Sequence, residues 1–450
     1  MVAVAGSAEI KTKAERRRQH RCTSASVGRR EKGSARHVLA AICTTVVCVT
    51  VAGVSAPTSS AVSIAQDAVA TASSVDGAGT GSTAVRLPRP SGAYQIGEVD
   101  LHLVDEARVD PIEPAQGARQ LMVSVVYPTR AVAGFPLKPY MTSAVSAGFD
   151  QLAAVASYGM APGTTFGWSV LSTYEHVGAP VAAGRHPVVL YSPGAADIRS
   201  WDTVLVDQLA SEGYVVVTID PTFEASAVQF PQAVAASDVL NLLQAVPSQM
   251  SENQLLKLLV DARVADTEFV LDSLDRLAAG TNPDAEHRPL PQGLGAALDM
   301  RDVGMFGQSA GGFTALEAMY EDLRITAGVD MDGTLEYNGD PSDTNFSPVA
   351  QHGLNRPFLL LGSESTEACT AATDPSCAAV LAHSTGRHGA LTLPGTEHGS
   401  FTDAEVIMPQ IAAQLPGGAL SSDIGSADPH QVLAEEEALI SGFFGSALGR

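Results

Sequence analysis

Once its first 37 positions are set aside, this 450-residue chain is short of positive charge. Those positions hold ten of its 27 lysines and arginines but only three of its 49 acids, leaving 17 against 46 in the remainder. Such an acidic body repels polyphosphate and anionic headgroups, which argues against nucleic-acid binding and suits neutral or zwitterionic small molecules. Cysteine is also scarce. Three of the five, Cys22, Cys43 and Cys48, fall near the N-terminus, and the other two, Cys369 and Cys377, are too few for a disulfide scaffold or a metal site. These two share the loop-like stretch STEACTAATDPSCAAV, where an exported chain would bridge them; two free thiols are the alternative. Aromatic residues make up only 5%, so the core has to come from Ala, Val and Leu, and the length allows a large one. No internal repeat is visible.

The basic excess has a local cause. A Lys- and Arg-rich region precedes the apolar run VLAAICTTVVCVTVAGVSA, Val38 to Ala56, and small residues end it. Those are the parts of a secretory signal, residues 1–56, with cleavage expected after Ala56 or Ala65. At 19 residues, several of them threonines, the run is marginal for a membrane span, and an uncleaved N-terminal anchor at the cell surface is the competing reading. Residues 57–92, rich in Ala, Ser, Thr and Gly, read as a disordered linker. Residues 93–450 are expected to form one large α/β domain. EVDLHLVD and QLMVSVVYP read as paired strands, and HPVVLYS, YVVVTID, ITAGVDMD, PFLLLGS and GALTLPG as further strands, several of them continuously apolar. Helices are expected from Ser200 to Glu212 with Ser200 as cap, over roughly 252–279, and from Pro429 to Ala447 behind Asp428. Buried strands alternating with helices predict a mostly parallel sheet covered on both faces.

One stretch carries chemistry. RDVGMFGQSAGGFTALEAM places Ser309 between a short apolar strand and an amphipathic helix, with Gly307 and Gly311 completing G-x-S-x-G. At a strand-to-helix corner this pattern holds a serine hydroxyl above the sheet edge. With 41 glycines in the chain the pattern alone is weak, and the strand before it and helix after it give it weight.

A serine nucleophile needs a base, and the base an orienting acid. In parallel sheets working groups collect at the carboxyl ends of the strands. Asp332 ends the next strand and is the first choice for the acid. Glu364, one strand later, and Asp330, two residues before Asp332 and taken to lie on the same side of its strand, are the rivals. Among eleven histidines, His398 in LPGTEHGSFTD follows the final strand and is placed to reach Ser309, whereas His186, His383 and His388 lie at the wrong strand ends. Oxyanion donors are expected at the N–H groups of Ala310 and of Ala195, the latter in the turn PGAAD that Gly194 tightens.

These pieces together resemble the α/β-hydrolase family of platelet-activating factor acetylhydrolases, particularly its bacterial secreted members. The resemblance rests on LHLVDEARVDP, GRHPVVLYSPGAADIRS, LASEGYVVVTID, RVADTEFVLDSL, GQSAGGFTAL, GVDMDG, RPFLLLGSE and EHGSFTD, in order over most of the domain. It implies a secreted serine esterase for short-acyl or oxidised phospholipid esters. Ser309, Asp332 and His398 would be its triad and Ala195 and Ala310 its oxyanion donors, with no metal or cofactor. The expected partner is a small lipid or ester substrate, with transient contact with a lipid surface and no obligate protein partner. Two positions depart from the family pattern: Gln308 stands where relatives have histidine before the nucleophile, and Pro221 where they commonly have another. A lipase or cutinase-like polyester hydrolase and a hydrolase-fold binding protein without chemistry are the competing functions.

Overall fold

The structure, a computed structural model, describes residues 85–156, 160–161, 163–238, 250–337, 345–365 and 369–449. The expected signal, its apolar run and the linker up to residue 84 lie outside the described residues. Residues 85–92 do not continue the expected linker. Leu87 is buried, and Arg86, Ser91 and Gly92 donate backbone N–H groups to Gln410, Gln208 and Ser211. Leu87, a single large apolar side chain within a polar stretch, gives this segment something to bury.

A sheet of ten strands organises the chain. In order of sequence its members are β1 (Gln95–Val109), β2 (Ala118–Thr129), β3 (Leu137–Pro139), β4 (Ser172–Val177), β5 (His186–Ser192) and β6 (Val215–Ile219). A small hairpin, β7 (Ala227–Gln229) and β8 (Val234–Ala236), stands apart. The sheet then resumes with β9 (Leu298–Gln308), β10 (Ile325–Met331), β11 (Phe358–Gly362) and β12 (His388–Thr392). The spatial order is β12-β11-β10-β9-β5-β6-β2-β1-β4-β3. From β6 through β12 every pairing is parallel, while β1 and β2 pair antiparallel with each other and β2 antiparallel with β6. The chain leaves β5 toward β6 and later returns to β5's other side through β9. The crevice at the carboxyl ends of β5 and β9 is therefore a topological switch point, where such sheets bind ligands.

The apolar strands explain the two-sided cover. Val188 and Leu190 of β5 face a core shared with the helices Glu252–Ala278 and Ala310–Glu321, through Val264, Leu271, Phe313 and Leu316. Their neighbours Val189 and Tyr191 face the opposite core, against Leu205 and Leu209 of the helix Thr203–Glu212 and Ile440 and Phe444 of the helix Pro429–Ala447. A strand buried on both faces has no polar alternation to show, which is why it reads as an unbroken apolar run.

The helix expected from Ser200 starts at Thr203 instead. Its first N–H groups are satisfied from elsewhere in the chain. The Asp403 carboxylate accepts from Thr203 at 2.9 Å and from Val204 at 3.0 Å, doing the work of a local cap. Segment 141–176 contributes the helix Ser143–Gln151 and, with Trp201, Phe230 and Ile407, an apolar cluster beside the β5 turn.

Candidate active site

Ser309 sits at the corner between β9 and the helix Ala310–Glu321, as its flanking sequence requires. Its backbone is left-handed, with φ 56° and ψ −120°, a conformation unfavourable for any residue with a Cβ. The surroundings impose it: Ser309 N–H donates to Met331 O at 2.8 Å, and its carbonyl accepts from Phe313 N–H at 3.0 Å. Gly311 is obligatory for a different reason. A Cβ there would overlap Ser192 O and lie 2.7 Å from Pro193 O, so any larger residue would push the helix off the β5 turn.

Asp332 directly follows β10 and is also left-handed, with φ 58°. This corrects the expectation that Asp330 and Asp332 point the same way, because strand alternation ends where the backbone turns. Asp332 Oδ2 accepts from His398 Nδ1 at 2.8 Å and from Ser363 Oγ at 3.0 Å, and Oδ1 accepts from Ser363 N–H at 2.9 Å. Burial alone would raise its carboxyl, but the His398 hydrogen bond and charge and the Ser363 donors outweigh it and hold the group below its ordinary value. Asp330 instead is fully buried, accepts from Gly333 N–H at 2.9 Å and rests near Cys369 Sγ. Burial, with the Asp332 and Asp374 charges adding, pushes its carboxyl well above the usual range. Glu364 is exposed and accepts from Gly395 N–H at 2.7 Å, anchoring the turn that leads to His398.

His398 opens a short 3₁₀ turn, His398–Phe401. Burial presses its imidazole down, and the Asp332 hydrogen bond and charge, with Asp197 and Asp423, press it up; the net direction is up. With 44% of the side chain accessible, the burial contribution is partial and the carboxylates prevail. Among the described residues no hydrogen bond joins Ser309 Oγ to His398. Gln308 Nε2 lies 3.1 Å from His398 Nε2 instead. The other histidines weighed are committed elsewhere: His186 to Gly213 O, His383 to Ala350 O and His388 to Gly386 O.

Opposite lies the β5 turn. Ala195 and Ala310 are each partly accessible, and as the first helical residue Ala310 has an N–H without an intrahelical acceptor. Gly194 is crowded: a Cβ would overlap Gln308 Oε1 and come within 2.8 Å of Asp197 Oδ2. The turn is clamped from below by Arg263, which the residue-by-residue reading missed. Its guanidinium donates to Ser192 Oγ (2.9 Å), Pro193 O (2.6 Å) and Gly194 O (3.0 Å), and pairs through two nitrogens with Glu224 (2.7 and 2.8 Å). An arginine on the apolar face of a long helix, one turn from Val260 and beside Val264, was the available signal. With its carbonyls held by Arg263, the turn is free to present N–H groups to the crevice.

Cys369 and Cys377 are joined in a disulfide, with Cα atoms 5.8 Å apart. No group of three or more His, Cys, Asp or Glu suited to a metal occurs among the described residues. No described helix is long and apolar enough to cross a membrane.

This sheet order, with a strained serine at one strand end and a carboxylate–imidazole pair at the next, defines the α/β-hydrolase fold. The chain belongs to the family of platelet-activating factor acetylhydrolase, isoform II, whose pattern it matches over residues 80–436. It is 28% identical over 292 residues to a probable 1-alkyl-2-acetylglycerophosphocholine esterase of Arthroderma benhamiae, covering 62% of this chain and 65% of that protein's length. Among solved structures it resembles a ferulic acid esterase from Streptomyces cinnamoneus, at 28% identity and TM-score 0.64, over 82% of this chain and 94% of that one.

Proposed function

We propose that the protein is a serine hydrolase of carboxylic esters, in which Ser309 is the nucleophile, His398 the base and Asp332 the orienting acid. The observation that carries the reading is the 2.8 Å pair between Asp332 Oδ2 and His398 Nδ1, formed beside the strained Ser309. With Nδ1–H donated to Asp332, the neutral ring offers Nε2 as the lone pair. Ser309 Oγ attacks the ester carbonyl as its proton passes to Nε2. The N–H groups of Ala195 and Ala310 receive the developing oxyanion. The imidazolium then protonates the departing alkoxide, leaving an acyl-Ser309, and water deprotonated by Nε2 releases the acid. These steps use no metal or cofactor.

Short-acyl glycerophospholipid esters are the proposed substrates, supported by the family and by the name of the Arthroderma relative. Aromatic-acyl esters are the second reading, favoured by the fuller match to the ferulic acid esterase. The test is a parallel assay of a 2-acetyl glycerophosphocholine, methyl ferulate and p-nitrophenyl acetate, with Ser309→Ala as control. Turnover that survives in Ser309→Ala rejects the mechanism, and the ratio of the first two substrates decides between the readings. Export is also proposed, supported by the leader composition and consistent with the disulfide. N-terminal sequencing of culture supernatant should then begin between Pro57 and about Val75, whereas recovery only in membranes with Val38–Ala56 intact would favour the anchor.

A further inference from the structure

Gln308 has no task in the scheme above, yet its amide touches both His398 and the β5 turn. It ends β9, is 3% exposed, and directs its amide at the base. Gln308 Nε2 lies 3.1 Å from His398 Nε2 and donates to His398 O at 3.2 Å. Since His398 Nδ1 donates to Asp332, Nε2 of the neutral ring can only accept, so the amide is the donor in both contacts. The other end of the amide, Oε1, lies against Gly194 of the β5 turn. One side chain thus spans the base and the oxyanion turn. It also occupies the lone pair that would have to receive the Ser309 proton.

We propose that Gln308 is a positioning residue that latches His398 in the free enzyme, holding Nε2 until an arriving ester displaces the amide and gives the lone pair to Ser309. This rests on the assignment of Ser309 and His398 as nucleophile and base.

The latch has a measurable consequence. A donor to Nε2 stabilises only the neutral ring, because the imidazolium has no lone pair there. The charged groups that face the ring are Asp332 from the end of β10, Asp197 from the β5 turn and Asp423 from the short helix Ala419–Asp423, and all three favour the imidazolium. Arg263 faces Asp197 and lowers that carboxyl. Gln308 therefore acts on the proton affinity of His398 in the opposite direction from every carboxylate around it.

The experiment is the pH dependence of Ser309 labelling by a fluorophosphonate, and of kcat/KM on p-nitrophenyl acetate, for the full chain and for Gln308→Met, which keeps length and loses the donor. The acidic limb should move up by about 0.5–1 pH unit, the worth of one neutral hydrogen bond. The labelling rate on the alkaline plateau should rise by about fivefold, since no bond must be broken first. A limb that stays where it is, or a plateau that falls, overturns the latch. Should Gln308→Met fail to fold, Gln308→Glu carries the test: a carboxylate against Nε2 should shift the limb upward by about one unit or more, and an unmoved limb there is equally fatal. Ser309→Ala separates this inference from its foundation. If that variant still reacts, the mechanism is wrong; if it is inert while the limb is unmoved, only the latch is wrong.

Discussion

Asp332 and Asp197 flank one imidazole from opposite walls of the crevice, and they differ in everything except burial. Each is about 95% buried. On the β10 wall both oxygens of Asp332 have donors, and the carboxyl is held low. On the β5 wall Asp197 Oδ1 has no hydrogen-bond partner among the described residues, and burial raises the group to about 7 in spite of His398 and Arg263. Asp423, whose Oδ2 likewise lacks a partner among the described residues, is also raised to about 7 by burial. Burial sets the cost of a charge, and hydrogen-bond donors decide whether the charge is kept. One wall is thus built to stay ionised beside the imidazole, and the other to hold its proton into the neutral range.

The largest effect should come from breaking the ionised wall. Asp332→Asn leaves the shape intact and offers His398 the wrong tautomer, so kcat on p-nitrophenyl acetate should fall about 10⁴-fold. Asp330→Asn and Glu364→Gln should each cost less than about tenfold, provided the melting temperature is unchanged. Among the described residues Asp330 accepts from Gly333 and is not one of the carboxylates that act on His398, while Glu364 holds Gly395. If Glu364→Gln is crippling and Asp332→Asn is active, the acid belongs to β11.

How much of this was visible beforehand depended on range. GQSAGG could be read because strand, corner and helix are contiguous, and Asp332 because it follows the strand next to the one that leads into Ser309. What stayed hidden was long-range. Arg263 meets Ser192 and Gly194 across 71 and 69 positions, and Asp403 caps Thr203 across 200. Neither carries a local pattern, since a helical arginine and a loop aspartate ordinarily face water. The departure at Gln308 could be seen, but its partner could not, because only the folded turn carries His398 back to the end of β9. Strand alternation puts Asp330 and Asp332 on one side only if it continues a residue past the strand, which ends at Met331.

Next in size is the clamp beneath the β5 turn. Arg263→Met removes one partner of a buried pair and leaves Glu224 buried without its guanidinium, so urea unfolding should show a loss of about 3–5 kcal/mol. Arg263→Met/Glu224→Leu should recover part of that stability but not kcat, since the carbonyls of Pro193 and Gly194 still lack the Arg263 guanidinium. Recovery of both would mean that the clamp serves stability alone. Smaller again is the staple near the other wall. Cys369 and Cys377 lie eight positions apart, with Sγ atoms near Asp330 and Gly333. The double serine variant should lose about 2–3 kcal/mol through loop entropy, measured by thermal unfolding beside the reduced wild type, which should match it.

The subtlest expected effect tests the proton-holding wall itself. Because the folded-state value of Asp197 is raised to about 7 above an unfolded value near ~3.9, the folded protein holds an extra proton between those two pH values. The stability linked to that proton is fully present below about pH 4 and is lost as pH rises through about 7. Asp197→Asn removes the dependence. Its melting temperature should differ little from wild type near pH 4 and exceed it near pH 8, by an amount corresponding to about 1 kcal/mol or more. Toward and above about pH 7, where Asp197 is ionised, the same change deletes a negative charge facing His398, so the upper part of the acidic limb of kcat/KM should move down, opposite to the shift expected for Gln308→Met. If stability gains equally at both pH values, Asp197 is ionised throughout and its orphaned oxygen has a donor after all. If the limb does not move, Asp197 lies outside the electrostatic reach of the base, and the two walls act independently.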